Sequence, residues 1–133
     1  MKPQTPGEIL LVEDDVLSRF LTEQIIRRTF PDTSIQFFED GQKFMNYFHA
    51  SDKSNSVVIL DLNMPIKNGF ECLEEMNQLP SSQSCPVFIL TSSISRVDRN
   101  RAQSFPMVVE YVEKPFNFIS ANSLKNISEL EFN

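Results

Sequence analysis

The stretch Val57-Val58-Ile59-Leu60-Asp61-Leu62-Asn63-Met64-Pro65 decides how this chain is read. Four consecutive apolar residues, three of them β-branched, predict a strand buried on both faces. Asn63 and Pro65 are poor strand residues, so the strand ends near Asp61. A carboxylate at the carboxyl end of a buried strand stands where open α/β sheets bind their ligands. Taken alone, Asp61 is as readily a loop cap. Its meaning depends on what other strands deliver to the same edge.

Four other segments read as strands. Upstream, Glu8–Val12 stops at the cluster Glu13-Asp14-Asp15, and Ser34–Phe38 places Ile35 and Phe37 on one face. Downstream, Val87–Leu90 ends at Thr91-Ser92-Ser93, and Met107–Val112 ends at Glu113-Lys114-Pro115. Helical spacing fills the intervals. Leu17, Phe20, Leu21 and Ile25 form an apolar stripe from about Val16 to Thr29, terminated by Phe30-Pro31-Asp32. Asp40-Gly41 opens a helix with Phe44, Met45 and Phe48 inward, and Phe70, Leu73 and Met76 mark a third, closed by Pro80. Ser95 to Ser104 is polar and weakly helical, and Ile119, Leu124, Ile127 and Leu130 suffice for a final amphipathic helix. Met1–Gly7, with two prolines, reads as a disordered lead-in, and Ser51–Ser56 and Ser81–Cys85 read as loops. Five strands alternating with five helices predict an α/β fold, a doubly wound five-stranded parallel sheet. Right-handed crossovers then put every strand's carboxyl end on one edge. Glu13 and Asp14, Asp61, Thr91 and Lys114 converge there.

Composition bounds the possibilities. A chain of 133 residues, 41% hydrophobic, is expected to be one domain over 1–133 with its core at about 8–131. Twelve phenylalanines and no tryptophan suggest a phenylalanine-rich interior. A net charge of −6 argues against binding to nucleic acid or to an anionic membrane. Cys72 and Cys85 lack metal-ligand spacing and read as buried free thiols, and His49 is the only histidine, which disfavours a His-based triad or zinc site. Ile9-Leu10-Leu11-Val12 is far too short for a signal-peptide core or a membrane span, so a soluble, cytoplasmic protein is expected.

Three carboxylates gathered within about 4–5 Å repel one another, at on the order of 3–4 kcal/mol per pair for an effective dielectric near 20. Lys114 alone does not offset this, whereas a hard divalent ion with oxygen ligands does, and Mg²⁺ suits two or so carboxylates plus water. In such a site Asp61 is placed to act as a nucleophile toward phosphorus, Thr91 to donate its hydroxyl to a phosphoryl oxygen, and Lys114 to supply a positive charge. A carboxylate nucleophile needs no general base. Phosphoryl transfer onto the protein itself fits these residues best.

The blocks Leu11-Val12-Glu13-Asp14, Asp61-Leu62-Asn63-Met64-Pro65 with Gly69, Leu90-Thr91-Ser92 and Tyr111-Val112-Glu113-Lys114-Pro115-Phe116 resemble the receiver domain of two-component response regulators. The resemblance covers essentially the whole chain, in order and spacing. It implies the flavodoxin-like strand order 2-1-3-4-5 and a CheY-like signalling domain rather than a conventional enzyme, one that contributes to its own phosphorylation and dephosphorylation. By the same resemblance Asp61 is the phosphoacceptor, Glu13 and Asp14 hold Mg²⁺ with Asp61, and the backbone carbonyl of Asn63 completes the coordination. Thr91 and Lys114 match the switch hydroxyl and the lysine, Lys114-Pro115 is expected cis, and Tyr111 matches the aromatic switch that swings inward. Composition alone leaves the metal pair open between Glu13–Asp14 and Asp14–Asp15; the family register favours the first, with Asp15 as a helix N-cap. Ser92 stands where the family usually has Ala, and it is still small.

Two other readings carry less. A phosphohydrolase of the haloacid dehalogenase type needs a second Asp two residues after the nucleophile, where this chain has Asn63. A receiver-like interaction module that has lost phosphorylation would not be expected to keep every required side chain. The implied partners are a sensor histidine kinase or histidine phosphotransfer protein as donor, and a downstream protein on the face formed by the fourth helix, fifth strand and fifth helix. The segment beyond Pro115 suffices for one helix and no effector domain, so output through another protein, or membership in a longer regulator, is expected.

Overall fold

A computed structural model describes residues 6–51, 55–80 and 84–131, with side chains up to residue 126 of the last helix. Strand and helix alternate: β1 (Glu8–Val12), α1 (Val16–Thr29), β2 (Ser34–Phe38), α2 (Gly41–Ala50), β3 (Ser56–Leu60), α3 (Gly69–Asn77), β4 (Val87–Thr91), α4 (Arg96–Gln103), β5 (Val108–Glu113) and α5 (Phe118–Glu131). The strands form one parallel sheet in the order β2-β1-β3-β4-β5, as the resemblance implied. β3 and β4 are buried along their whole length, which is why they carry no polar alternation.

Side chains leave the central strands alternately toward two layers. Leu10 and Val12 of β1 join Phe44, Phe48, Leu73, Met76 and Tyr111 on the side covered by α2, α3 and α4. Ile9 and Leu11 join Ile26, Phe30, Phe88, Phe116 and Leu124 on the side covered by α1 and α5. Phenylalanines therefore build both layers. Four helices start where a side chain accepts a backbone N–H in the first turn: Asp15 from Ser18, Asp40 from Lys43, Asn68 from Glu71 and Ser95 from Asp98. Asn68 and Glu71 complete a reciprocal capping box. Cys72 and Cys85 are buried free thiols, and burial pushes the Cys72 thiol up to about 12.

Several expectations are corrected. The stripe Leu17, Phe20 and Leu21 faces solvent, with Leu17 66% exposed, and Thr22 and Ile26 face the sheet instead. At 100° per residue, α1 is turned by roughly a quarter turn from the expected stripe, with Ile25 at the boundary. Thr22 is buried although its letter is polar, so apolar spacing alone concealed an inward position. In α5, Leu124 is buried but Ile119 is 79% exposed, while Ile127 and Leu130 lie outside the described side chains. Phe37, on the edge strand β2, is exposed, with Arg19 over its ring at 5.5 Å. Of the expected lead-in, Pro6 and Gly7 are tied down: the Thr33 hydroxyl donates to the Pro6 carbonyl at 2.7 Å, and Gly7 N–H donates to the Asn55 carbonyl at 2.8 Å. Ser56 belongs to β3 rather than to the preceding loop, and β5 runs one residue later than expected. Residues 1–5, 52–54 and 81–83, which include parts of the expected lead-in and loops, lie outside the described residues.

Candidate functional site

The site forms at the carboxyl edge of the sheet, where β1 has β2 on one side and β3 on the other. Chain direction across the sheet reverses here, which opens a crevice between the strand ends. Val12 and Leu60 are register partners, and Asp61 N–H donates to the Val12 carbonyl at 3.1 Å. Glu13 and Asp61 therefore leave the sheet side by side. Glu13, Asp14 and Asp61 each offer a carboxylate oxygen, all within 4.8 Å of one another. Glu13 and Asp61 are buried and Asp14 is exposed. Asp15 caps α1, accepting Ser18 N–H at 3.0 Å.

Lys114 arrives from the far side of the sheet. Its backbone N–H donates to the Thr91 carbonyl at 2.8 Å, which ties the end of β5 to the end of β4. From there the ammonium lies 2.7 Å from Glu13 Oε1 and donates to Asp61 Oδ2 at 2.8 Å. The peptide bond between Lys114 and Pro115 is cis.

The electrostatics follow from this crowding. Burial raises the Glu13 carboxyl above its ordinary value, the hydrogen bond from Lys114 opposes that, and the Asp61 charge adds to it. For Lys114, burial alone would depress the ammonium, but the bonds to Asp61 and Glu13 outweigh burial and raise it. Among the described residues, the Lys114 ammonium pairs with two of the three clustered carboxylates, which leaves an excess of negative charge at the crevice.

The remaining candidates stand around this centre. Thr91 is the last residue of β4, fully buried, its hydroxyl accepting Ser93 N–H at 3.3 Å. Asn63 is exposed, and its N–H donates to Asp61 Oδ1 at 3.3 Å. Tyr111 lies inward, 4% exposed, its hydroxyl donating to the Ser93 carbonyl at 3.3 Å. Glu13, Asp14, Asp61 and Lys114 thus meet directly, whereas Thr91 and Tyr111 meet through Ser93.

The contacts of three residues escaped the sequence reading. Ser18, in the first turn of α1, donates its hydroxyl to Glu13 Oε1 at 2.8 Å. Gly41 and Gly69 grip the loop after Asp61 from both ends. A Cβ on Gly69 would lie 2.4 Å from the Asp61 carbonyl oxygen, and one on Gly41 would lie 2.1 Å from the Lys67 carbonyl oxygen. The glycines also donate to this loop, Gly69 N–H to the Leu62 carbonyl at 2.9 Å and Gly41 N–H to the Lys67 carbonyl at 3.1 Å. A glycine as the first residue of a helix was the available signal for Gly41, and it is weak, because that position tolerates many residues. Beside Lys114, α1 and the segment after β5 enclose an apolar groove of about 180 Å³ lined by Leu17, Leu21, Pro115 and Phe116 among others.

Among characterised proteins, the response regulator Rcp1 of Synechocystis is 31% identical over 98 residues, covering 70% of this chain and 67% of that protein. The probable methanogenesis regulatory protein FilR2 of Methanothrix harundinacea is 30% identical over 122 residues, covering 89% of this chain and 78% of that protein. Among solved structures, a two-component response regulator from Cytophaga hutchinsonii superposes with a TM-score of 0.83 at 29% identity, covering 94% of this chain and 98% of that one. The Mn²⁺-bound form of Rcp1 superposes with a TM-score of 0.75 at 29% identity, covering 92% of this chain and 91% of that one. The model of the response regulator receiver domain matches residues 9–124, and with the sheet order and these relatives it establishes that the chain belongs to the receiver-domain family of two-component response regulators.

Proposed function

We propose that Asp61 is the residue through which this receiver domain performs its family's phosphoacceptor role. The observation that carries the reading is the pairing of a buried Asp61 with Lys114 at 2.8 Å, beside two further carboxylates at the sheet's switch point. A carboxylate oxygen of Asp61 attacks phosphorus, the P–N bond of a phosphohistidine breaks, and the electron pair goes to the departing imidazole nitrogen. Lys114 is placed to neutralise one phosphoryl oxygen. Thr91, at the end of the neighbouring strand, is the hydroxyl that can turn toward another. The domain is a signalling element that takes part in its own phosphorylation and hydrolysis.

Glu13, Asp14 and Asp61, with the backbone carbonyl of Asn63, would hold Mg²⁺. An all-oxygen donor set with an uncompensated negative charge suits that ion, and the Mn²⁺-bound form of the similar Rcp1 supports a divalent site. Such an ion supplies charge neutralisation at the transferring phosphoryl group. The residues 8–131 would act as a single receiver unit, in a reducing cytoplasm that suits two free thiols. No described helix is long and apolar enough to cross a membrane.

The donor is a sensor histidine kinase or histidine phosphotransfer protein, docking on the rim of the crevice. Support comes from the exposed Leu17, Phe20 and Leu21 of α1 and the groove, lined by Leu17 and Leu21, that reaches Lys114, an apolar surface beside the acidic crevice. Output uses the face of α4, β5 and α5. Only Ala102 of α4 is buried and Val97 is exposed, so this helix rests on the domain through little apolar contact and can serve as the responsive part. Incubation with candidate phosphodonors, read on phosphate-affinity gels, is the test. Wild type is expected to shift and Asp61→Asn is not; an equal shift in the variant would end the assignment.

A further inference from the structure

The aromatic ring of Tyr111 is held inward, and α4 supplies the hold. The Arg99 guanidinium lies over the ring, 4.8 Å from its centroid. The same guanidinium is 3.8 Å from Glu113 Oε1, two residues along β5 from the tyrosine. Beneath this roof the Tyr111 hydroxyl donates to the Ser93 carbonyl at 3.3 Å. Ser93 is itself fixed to α4, its hydroxyl donating to Asp98 Oδ2 at 2.7 Å. Asp98 and Arg99 are consecutive in α4, so one helical turn holds both the tyrosine's acceptor and its cover.

We propose that Arg99 is a positioning residue that latches Tyr111 inward in the resting protein, so that in this chain phosphorylation moves α4 and Thr91 around a tyrosine already in place. The proposal rests on the reading of Asp61 as phosphoacceptor only for its second half. A ring that flips outward at rest leaves the core and gives up its hydroxyl's acceptor. Arg99 opposes this by stacking from the solvent side while Glu113 orients its charge. Removing a partly exposed cation–π contact shifts such an in/out equilibrium by about threefold.

The chain has no tryptophan and two tyrosines, so Tyr47→Phe leaves Tyr111 as the reporter of tyrosine fluorescence. In that background, acrylamide quenching is measured for Arg99, Arg99→Ala and Arg99→Lys, each with Mg²⁺ alone and with Mg²⁺ plus beryllofluoride, a phosphoryl mimic. With Arg99 present, quenching is expected to be low and to change little on adding the mimic. Arg99→Ala is expected to quench about threefold more readily at rest and to return to the low value with the mimic, with Arg99→Lys in between, since lysine keeps the charge and loses the planar stack. Quenching in Arg99→Ala that equals that of the parent overturns the latch. So does a rise that is the same with and without the mimic in a variant shown to bind it, because it reports only a lost cover over an unmoved ring. A large mimic-induced fall in the parent likewise overturns it. Binding of the mimic is monitored separately by fluorine NMR. If no variant binds it, the phosphoacceptor reading fails, while the resting comparison of Arg99 with Arg99→Ala still decides the latch: an increase in which Arg99→Lys recovers protection supports it, and equal quenching refutes it.

Discussion

The Lys114 ammonium bridges two buried carboxylates, at 2.7 Å from Glu13 and 2.8 Å from Asp61. It is the internal counter-ion of the crevice, and it directly follows β5, across the sheet from both acids. Replacing it with the isosteric, uncharged Lys114→Met leaves those carboxylates facing each other. In a metal-chelated buffer the variant is expected to lose about 2 kcal/mol of stability, the worth of hydrogen bonds to charged partners. Urea unfolding followed by circular dichroism, repeated in Mg²⁺, checks the cause. The gap should shrink by more than half as the divalent ion takes over the neutralisation; a gap that Mg²⁺ leaves unchanged would assign Lys114 a packing role only.

Much of this centre was legible because parallel topology converts sequence position into spatial position. Glu13, Asp61 and Lys114 each follow a strand, right-handed crossovers place those ends on one edge, and the register of Val12 with Leu60 does the rest. The illegible part depends on helix rotation and close backbone approach. Ser18 bonds to Glu13 because α1 turns Ser18 and Thr22 inward and Leu17 outward, and apolar spacing alone chose the wrong one of two overlapping faces. Gly41 and Lys67 meet across a turn between elements that are distant in sequence, and no local pattern announces a contact of that kind. Arg99 lies in the polar, weakly helical segment Ser95 to Ser104, where nothing local marks it out, since its ring partner lies on another element.

Gly41 and Gly69 clamp the loop after Asp61, and the two contacts should be energetically linked. Gly69→Ala forces a Cβ against backbone at Asp61 and Leu62, and Gly41→Ala forces one against the Lys67 carbonyl. Neither obstacle is a flexible side-chain end, so each substitution is expected to cost about 2–3 kcal/mol, in the upper range of overpacking. Because both displace the same short loop, the double variant should cost less than the two separate losses combined. A urea-based double-variant cycle measures this; strict additivity would mean that the loop is not one mechanical unit.

On the opposite side of the loop, Glu75 of α3 pairs with Lys67 and with His49 of α2. The Lys67 bond first, then the His49 bond, hold the Glu75 carboxyl below its ordinary value of 4.5. A carboxyl depressed in the folded protein contributes stability that is fully present above its ordinary value and disappears as pH falls through the folded value. Glu75→Gln is therefore expected to be less stable near neutral pH by about 0.5–1 kcal/mol, the scale of partly exposed ion pairs. The two stability curves should merge once the wild-type carboxyl is protonated. Thermal melts from pH 7 down to pH 3 test this, and curves that stay parallel throughout would show that Glu75 stabilises by contact and not by charge.

The outward apolar side of α1 makes a prediction that separates donor docking from chemistry. Leu17 and Leu21 are exposed and line the groove beside Lys114, yet neither bonds to Glu13 or Asp61. Leu17→Ser with Leu21→Ser removes apolar surface that the isolated domain leaves in water, so stability should change by no more than about 0.5 kcal/mol. Phosphorylation by a small phosphodonor, which needs no protein surface, should proceed at the wild-type rate. Transfer from a histidine phosphotransfer protein should fall by about tenfold, as expected when two apolar contacts are lost from a docked interface. Rates that fall together for both donors would place the damage in the acidic centre, through the Ser18 and Glu13 contact on the same helical turn. Unchanged transfer from the protein donor would mean that it approaches Asp61 over a different rim.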